Sequence, residues 1–379
     1  MHPFRALLIG CLVWLAPLAH AQPTEPVTLR VGAVLSLTGA NAPVGRAQEA
    51  ALRAWEASAQ SEGLTAEILT LDDGSRPERA AALSAQLASE GIHALLCCSN
   101  AASLERALPT AREAGTLALA LAPSDLVKDT SQNYWLFSIV PGHSAQLETV
   151  ALSENALAFM GLASSEGDIA VSSLSGAGAR LVAQERYAPD VDVLTPEALW
   201  IATRQPGAVL VWGRMRDTQL AVDALSQRGF AGRTYIKPQL YEDASVLGRA
   251  DLRGTFTVTN AVSVGDTLPL THPTYAETRR FVSALGATYG ANRPTAEGGY
   301  AWDAMTLLRR AFEQTLAYSR LEPENTTAIR QALRDSLVGL GPVTGAVGVY
   351  DYRETDHVGV APDSLVIAVI ERGRLRAAR

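Results

Sequence analysis

Apolar positions along the chain fall into two alternating patterns. Residues 29–37, LRVGAVLSL, make a nearly unbroken apolar run, as expected of a strand buried on both faces inside a parallel sheet. Thr38-Gly39-Ala40-Asn41 interrupts it with turn residues. Beyond Pro43, which suits a first helical turn, Ala47, Ala50, Ala51, Ala54 and Trp55 recur at helical spacing. The same alternation predicts strands over 66–71, 94–98, 116–122 and 134–139, with helices over 76–90 and 101–114. Short connections between them mark βαβ units of a doubly wound parallel sheet.

After Pro141-Gly142 the alternation starts again. It predicts helix over 143–160, strand over 168–174, helix over 177–186 and strand over 191–194. Helices over 196–204 and 217–228 and strands over 208–212, 234–239 and 256–262 come next. Two similar α/β lobes in tandem are the natural inference. The third part departs from the pattern: helices over 272–289, 295–318 and 326–337 have no strands between them. They cannot build another parallel sheet, and are expected to pack back on the first lobe. Strands over 340–350 and 364–370 close the chain.

Composition adds the compartment. His2 and Arg5 precede an apolar run from Ala6 to Ala19, and Ala19-His20-Ala21 fits a small-x-small cleavage site, so residues 1–21 read as a secretory signal peptide. Leu8-Ile9-Gly10-Cys11 resembles a lipoprotein box, but the apolar run before it is short. No other stretch approaches the roughly 20 apolar residues that span a bilayer. The 358 residues after the signal are long for one core and suggest two domains. The net charge of −7 becomes −8 without Arg5, so nothing favours nucleic acid or an anionic membrane. Cys97 and Cys98 are the cysteines left, and two buried free thiols are expected rather than a vicinal disulfide.

Enzyme signatures are weak. Leu174-Ser175-Gly176-Ala177-Gly178 lacks the first glycine of a nucleophile elbow. His93, His143, His272 and His357 are scattered, without metal-ligand spacing. Asp72-Asp73-Gly74 before a helix fits a turn and cap better than a catalytic pair. No catalytic residue, metal or cofactor is therefore expected; an exported hydrolase using Ser175 and a histidine is the weakest alternative. What remains is a set of polar loops after apolar strands: 38–41, 99–100, 123–124, 172–175, 213–214 and 239–242. Across a cleft such loops offer backbone N–H groups and helix amino ends to an anionic group.

These stretches carry a resemblance. SLTGANAPVG (36–45), LDDGSRPERA (71–80), ALLCCSNAASLERALPTAREAG (94–115), YWLFSIVPGHSAQ (134–146), YAWDAM (300–305) and GPVTGAVGVYDYRETDHVG (341–359) occur in a telling order. In that order the chain resembles the type I periplasmic substrate-binding proteins, most closely the leucine/isoleucine/valine-binding branch of ATP-driven importers. The resemblance implies two lobes joined by three crossovers, near Pro141, Val262 and Tyr350. Lobe 1 would be residues 27–141 and 263–349, and lobe 2 residues 142–262 and 350–379. It further implies a monomer in the periplasm whose lobes close by a hinge around a small molecule, and whose partner is an inner-membrane ABC permease.

Family contact positions carry over unevenly. The loop that meets a ligand carboxylate with a hydroxyl and backbone N–H groups is Ser99-Asn100-Ala101. The next contact loop offers only Ser124. On the opening loop, Asn41 stands at the rim and Val44 replaces the usual aromatic. The Tyr-Gly of lobe 2 becomes Ser175-Gly176, and Arg214 lies where an aromatic is common. The acid that meets a substrate ammonium falls near Gln239, with Glu242 close by. Anion and aromatics are lost and a cation is gained, and a buried ammonium without a carboxylate is costly. The expected ligand is an aromatic or aliphatic organic acid lacking the amine; a branched-chain amino acid is the alternative if Glu242 replaces the lost acid. A periplasmic sensor or partner protein using the fold without transport is the alternative role.

Overall fold

The computed structural model describes residues 28–61, 66–238, 240, 247–290, 294–319 and 321–378. The proposed signal segment, Gln239 and Glu242 lie outside the described residues. The chain opens with β1 (Leu29–Leu35), α1 (Ala42–Ser61), β2 (Ala66–Asp72), α2 (Pro77–Ser89) and β3 (Ala94–Cys97). α3 (Ala101–Glu113), β4 (Leu117–Ala120) and β5 (Leu136–Ser138) complete a parallel sheet ordered β2-β1-β3-β4-β5. β1 is central, flanked by β2 and β3, which explains its apolar run: Val31, Ala33, Val34 and Leu35 are fully buried. The strand order reverses between β1 and β3, and the crevice outside their carboxyl ends is where such sheets bind ligands.

Next come α4 (His143–Ser153), β6 (Leu157–Leu162), α5 (Ser165–Gly176), β7 (Leu181–Tyr187) and α6 (Thr195–Thr203). The chain continues through β8 (Ala208–Trp212), α7 (Met215–Gln227), β9 (Arg233–Ile236), β10 (Phe256–Thr259) and a short turn of helix α8 (Ala261–Val264). α9 (Tyr275–Tyr289), α10 (Ala296–Tyr318) and α11 (Thr326–Gly339) then return to the first sheet. Gly298 of α10 sits against Ala47 and Ala51 of α1, and Phe281 of α9 packs on Trp302 at 5.4 Å between ring centres. A hairpin of β11 (Val343–Thr344) and β12 (Val349–Tyr350) is held by Asp303 of α10. That fully buried carboxylate accepts from the amides of Ala346 and Val347 at 2.5 and 2.9 Å and from the Tyr350 hydroxyl at 2.9 Å. β13 (Val366–Glu371) and β14 (Arg374–Ala377) finish a second sheet, ordered β14-β13-β10-β9-β8-β6-β7. It is parallel from β10 to β7, and β13 and β14 add an antiparallel edge.

Three expectations need correction. The helix expected over 143–160 ends at Ser153, and Leu157–Leu162 is a strand. The next elements shift with it: the expected strand over 168–174 is helix α5, the expected helix over 177–186 gives way to strand β7, and 191–194 is not a strand. Leu157–Leu162 is a short apolar run, which periodicity alone cannot separate from a buried helix. β7 is an edge strand, so its polar Gln184, Glu185 and Arg186 mimic a helical surface. Second, Cys97 and Cys98 are joined as a vicinal disulfide, both buried, where two free thiols are expected. Third, the passage expected near Tyr350 falls later. Tyr352 donates its hydroxyl to Ser138 O at 2.7 Å and His357 Nδ1 lies 2.8 Å from Leu136 O, so this stretch stays with the first sheet. The chain crosses at residues 361–365, where Thr149 Oγ donates to Pro362 O at 2.9 Å.

Candidate ligand cleft

A cavity of about 480 Å³ lies between the sheets. Ser99, Asn100, Ala101 and Ser124 line it from the first sheet, residues 140–144 and Leu365 from the linking stretches, and Thr259 and Asn260 from the end of β10. A second cavity of about 330 Å³ lies against the carboxyl ends of β6, β8 and β9, lined by Ser164, Glu166, Trp212, Arg214 and Lys237 among others. His143 of the first lies edge-on against Trp212 of the second, 5.6 Å between ring centres.

The loops on the first sheet are tied together by bonds between their side chains and backbone. Asp72 accepts from the amides of Leu37, Thr38 and Gly74 at 2.9, 3.2 and 2.8 Å and from Thr38 Oγ at 2.7 Å. Burial acts to raise its pKa, but the bonds from Thr38, Gly74 and Leu37 prevail and hold it below the ordinary carboxylate value. Asp73 accepts from Ser36 Oγ and the Ser75 amide, both at 2.7 Å. The acidic pair thus ties the β1 loop to the β2 loop, the turn-forming role expected from Asp-Asp-Gly. Asn41 immediately precedes α1, its amide donating to Ser75 Oγ at 2.9 Å, whereas Val44 lines the cavity.

Ser99 is similarly committed. Its buried hydroxyl accepts from the Ser36 amide at 2.9 Å and donates to Gln48 Oε1 at 2.7 Å, so its one hydrogen is already used. Asn100 caps α3, Oδ1 accepting from the Ser103 amide at 2.9 Å. Ala101 and Ala102 are the first two helical residues, both exposed, and their amides have no carbonyl one turn back; Ala101 lines the cavity. Ser124 Oγ accepts from the Leu126 amide at 3.2 Å, which leaves its own hydrogen to donate. This wall presents donors at a helix amino end, suited to a carboxylate. Glu105 and Glu297 line the same cavity with carboxylates.

The opposite wall differs from expectation. Ser175 lies in the last turn of α5, exposed, at the end of the helix remote from the β6 carboxyl edge. The loop after β6 instead carries Ser164, whose hydroxyl accepts from the Gly167 amide at 3.3 Å, and Glu166 stands in the first turn of α5. Arg214 lines the second cavity, but its guanidinium turns to Asp217 at 3.0 Å and Asp190 at 3.2 Å. Asp217 is fully buried, and the bonds to both aspartates raise the Arg214 pKa above its ordinary value. Lys237, missed because it falls inside an expected strand, pairs with Glu166 and lies 5.3 Å from the Trp212 ring centre.

Two sheets meeting at the carboxyl ends of parallel strands, with a polar cavity between, define a protein built to hold a small molecule. No group of three or more potential metal ligands and no helix apolar enough to cross a membrane occurs among the described residues. The profile of the periplasmic binding protein family matches residues 28–373, and the chain belongs to that family, in its type I, leucine/isoleucine/valine-binding-like form. It is a family of ligand-binding proteins. A putative branched-chain amino acid ABC transporter from Rhodospirillum rubrum superposes with TM-score 0.72 at 20% identity, over 93% of this chain and 100% of that one. A branched-chain amino acid transporter substrate-binding protein from Streptococcus pneumoniae, complexed with isoleucine, gives 0.63 at 16% over 93% and 99%. An ABC transporter solute-binding protein from R. palustris, complexed with benzoate, gives 0.57 at 19% over 92% and 95%. Among curated proteins nothing matches the sequence significantly.

Proposed function

We propose that this chain is the extracytoplasmic substrate-binding component of an ABC importer, exported by residues 1–21, that captures a small carboxylate-bearing organic acid. Its lobes would be residues 27–141 with 263–360 and residues 142–262 with 361–379. Hinge closure around the ligand would create the form that a permease recognises, the ligand supplying only the free energy by which it prefers that form. One contrast carries the ligand class. The first wall offers the amino end of α3 at Ala101, while Glu166 on the second wall is held by Lys237 and the buried Asp217 behind it by Arg214. A ligand carboxylate thus finds donors, and a ligand ammonium finds no unengaged acid on that wall among the described residues.

Glu105 and Glu297 favour a second reading, an amino acid whose ammonium turns to the first wall instead. The structural neighbours holding isoleucine and benzoate span the two choices. Titration calorimetry with leucine, the keto acid of leucine and benzoate separates them: binding of an acid without leucine supports the proposal, and tight leucine binding overturns it. Co-purification with a membrane permease tests transport against sensing.

A further inference from the structure

We infer that Lys237, not Arg214, supplies the cation that meets the ligand's anionic group from the second wall, with Trp212 as the surface beneath it. The inference rests on the carboxylate-ligand reading above and names the residue that sets specificity. Arg214 is the obvious cation by sequence, yet it is built into the protein. Three of its bonds run to Asp217 and Asp190, and Asp217 is fully buried, so drawing the guanidinium away would strand a buried charge. Lys237 has no such duty. Its side chain is 18% exposed, but its partner Glu166 is 51% exposed, so moving the ammonium would strand no buried acid and the pair adds little to stability. An ammonium has three donors, and the bond to Glu166 uses one.

Position supports the assignment. Lys237 follows β9 directly, lines the second cavity beside Gly213 and Leu162, and lies over Trp212. Trp212 in turn meets His143, which lines the first cavity. Its Nε1 is buried without a hydrogen-bond acceptor, and the hydroxyl of Thr259, a residue lining the first cavity, is likewise buried without a partner. A carboxylate between the walls would therefore have the α3 amides on one side and a singly paired ammonium on the other, with indole beneath its apolar body. In a chain that otherwise uses arginine for its cations, Lys237 is one of two lysines. A compact ammonium can pass from Glu166 to a ligand by a change of rotamer, which a bidentate guanidinium would resist.

The test is calorimetry and thermal unfolding of the full chain, wild type, K237M, K237R and E166Q, against benzoate, the keto acid of leucine and leucine. Wild type reports the ligand class, and the variants report the assignment. K237M should weaken the bound acid about 10- to 100-fold, the worth of one charge-assisted hydrogen bond, with K237R restoring part of it. The ligand-free melting temperature should move by no more than about 2 °C. E166Q should hold or raise the affinity. K237M binding the acid within threefold of wild type, or E166Q abolishing binding, overturns the assignment. If wild type takes leucine and refuses both acids, the organic-acid reading fails, and Lys237 is judged on leucine: loss in K237M sustains it, unchanged binding overturns it. Indifference of wild type to all three at millimolar concentration overturns both.

Discussion

Arg330 of α11 joins the returning helices to the first sheet through a buried cation bonded to backbone carbonyls. It is 6% exposed, and its guanidinium donates from Nε to Ile92 O at 2.8 Å, from Nη1 to Ala114 O at 2.9 Å and from Nη2 to Ala88 O at 2.8 Å. Ala88 and Ile92 bracket the carboxyl end of α2, and Ala114 caps α3. The cation therefore sits where the carbonyl ends of two helices converge, the favourable pole for positive charge. Burial lowers its pKa from the ordinary arginine value, but a guanidinium stays charged throughout the working range. In Arg330→Met the aliphatic stem keeps its packing and all three bonds vanish. Ala88 O retains the Gly91 amide at 3.3 Å, so the main loss is at Ile92 O and Ala114 O. Each carbonyl left without its donor costs about 1–3 kcal/mol, for a total near 3–5 kcal/mol. Arg330→Lys, reaching one or two carbonyls, should lose about half as much.

Urea titration followed by tryptophan fluorescence reads this as a lower midpoint at unchanged slope. The melting temperature should fall by roughly 4–7 °C. Because the bonds lie at the helix ends away from the cleft, ligand affinity of the folded variant should stay within about threefold. A loss below about 1 kcal/mol in Arg330→Met would refute the reasoning, since it would mean the carbonyls find other donors and the cation is incidental.

Three further substitutions test other buried contacts. His93 is held down at about 4, chiefly by burial and then by Arg30 and Arg330. An unfolded histidine titrates near 6.5, so its contribution is intact above that pH and is lost as pH falls toward 4, about 3 kcal/mol at most. His93→Asn, which keeps an acceptor for the Arg30 amide, should flatten the stability profile in that window. Asp303→Asn turns an NH2 group toward one or two of the three donors and should cost about 2–4 kcal/mol in chemical denaturation. Burial pushes Asp303 up to about 7, so its contribution is full below the unfolded value near 4 and declines as pH rises toward 7; the Asn variant should lose that slope. Gly45→Ala would place a Cβ 2.1 Å from Ser36 O, driving α1 off the β1 loop. It should cost about 3 kcal/mol or more by thermal melting and weaken every ligand that wild type binds.

The scaffold is legible in the sequence wherever an apolar strand is central and its helix is amphipathic, as from β1 through α3 and again from α6 through α7. Burial on both faces writes an unmistakable run, and the flanking turn residues bound it. Between Ser153 and Tyr187 the same rules mislead. β6 is apolar like a buried helix, α5 opens with Ser164-Ser165-Glu166 after a strand that periodicity merges into α4, and edge strand β7 is polar enough to pass for a helix surface. One error of phase carries Ser175 to the wrong end of its element and hides Glu166. The disulfide is beyond spacing arguments for a different reason: adjacent residues of a regular strand point to opposite faces, so alternation gives no ground for pairing Cys97 with Cys98.

The site shows why residue type alone is a poor guide to ligand contacts. Ser99 has the expected hydroxyl at the expected loop, yet its hydrogen goes to Gln48 and its lone pair takes the Ser36 amide. To donate to a ligand it would have to abandon a buried acceptor, at a cost near that of the bond gained. Asn100 caps its helix and Arg214 neutralises a buried aspartate, and each is equally occupied. What a ligand can use is what folding leaves over: the α3 amides that no helix geometry can satisfy, the Ser124 hydrogen, and an ammonium singly bonded at Lys237. The first of these is fixed by the backbone and would accept any carboxylate. Discrimination between acids, and between an acid and its amino counterpart, therefore falls to the second wall, where exchanging Lys237 for a neutral side chain should abolish the preference while leaving the fold intact.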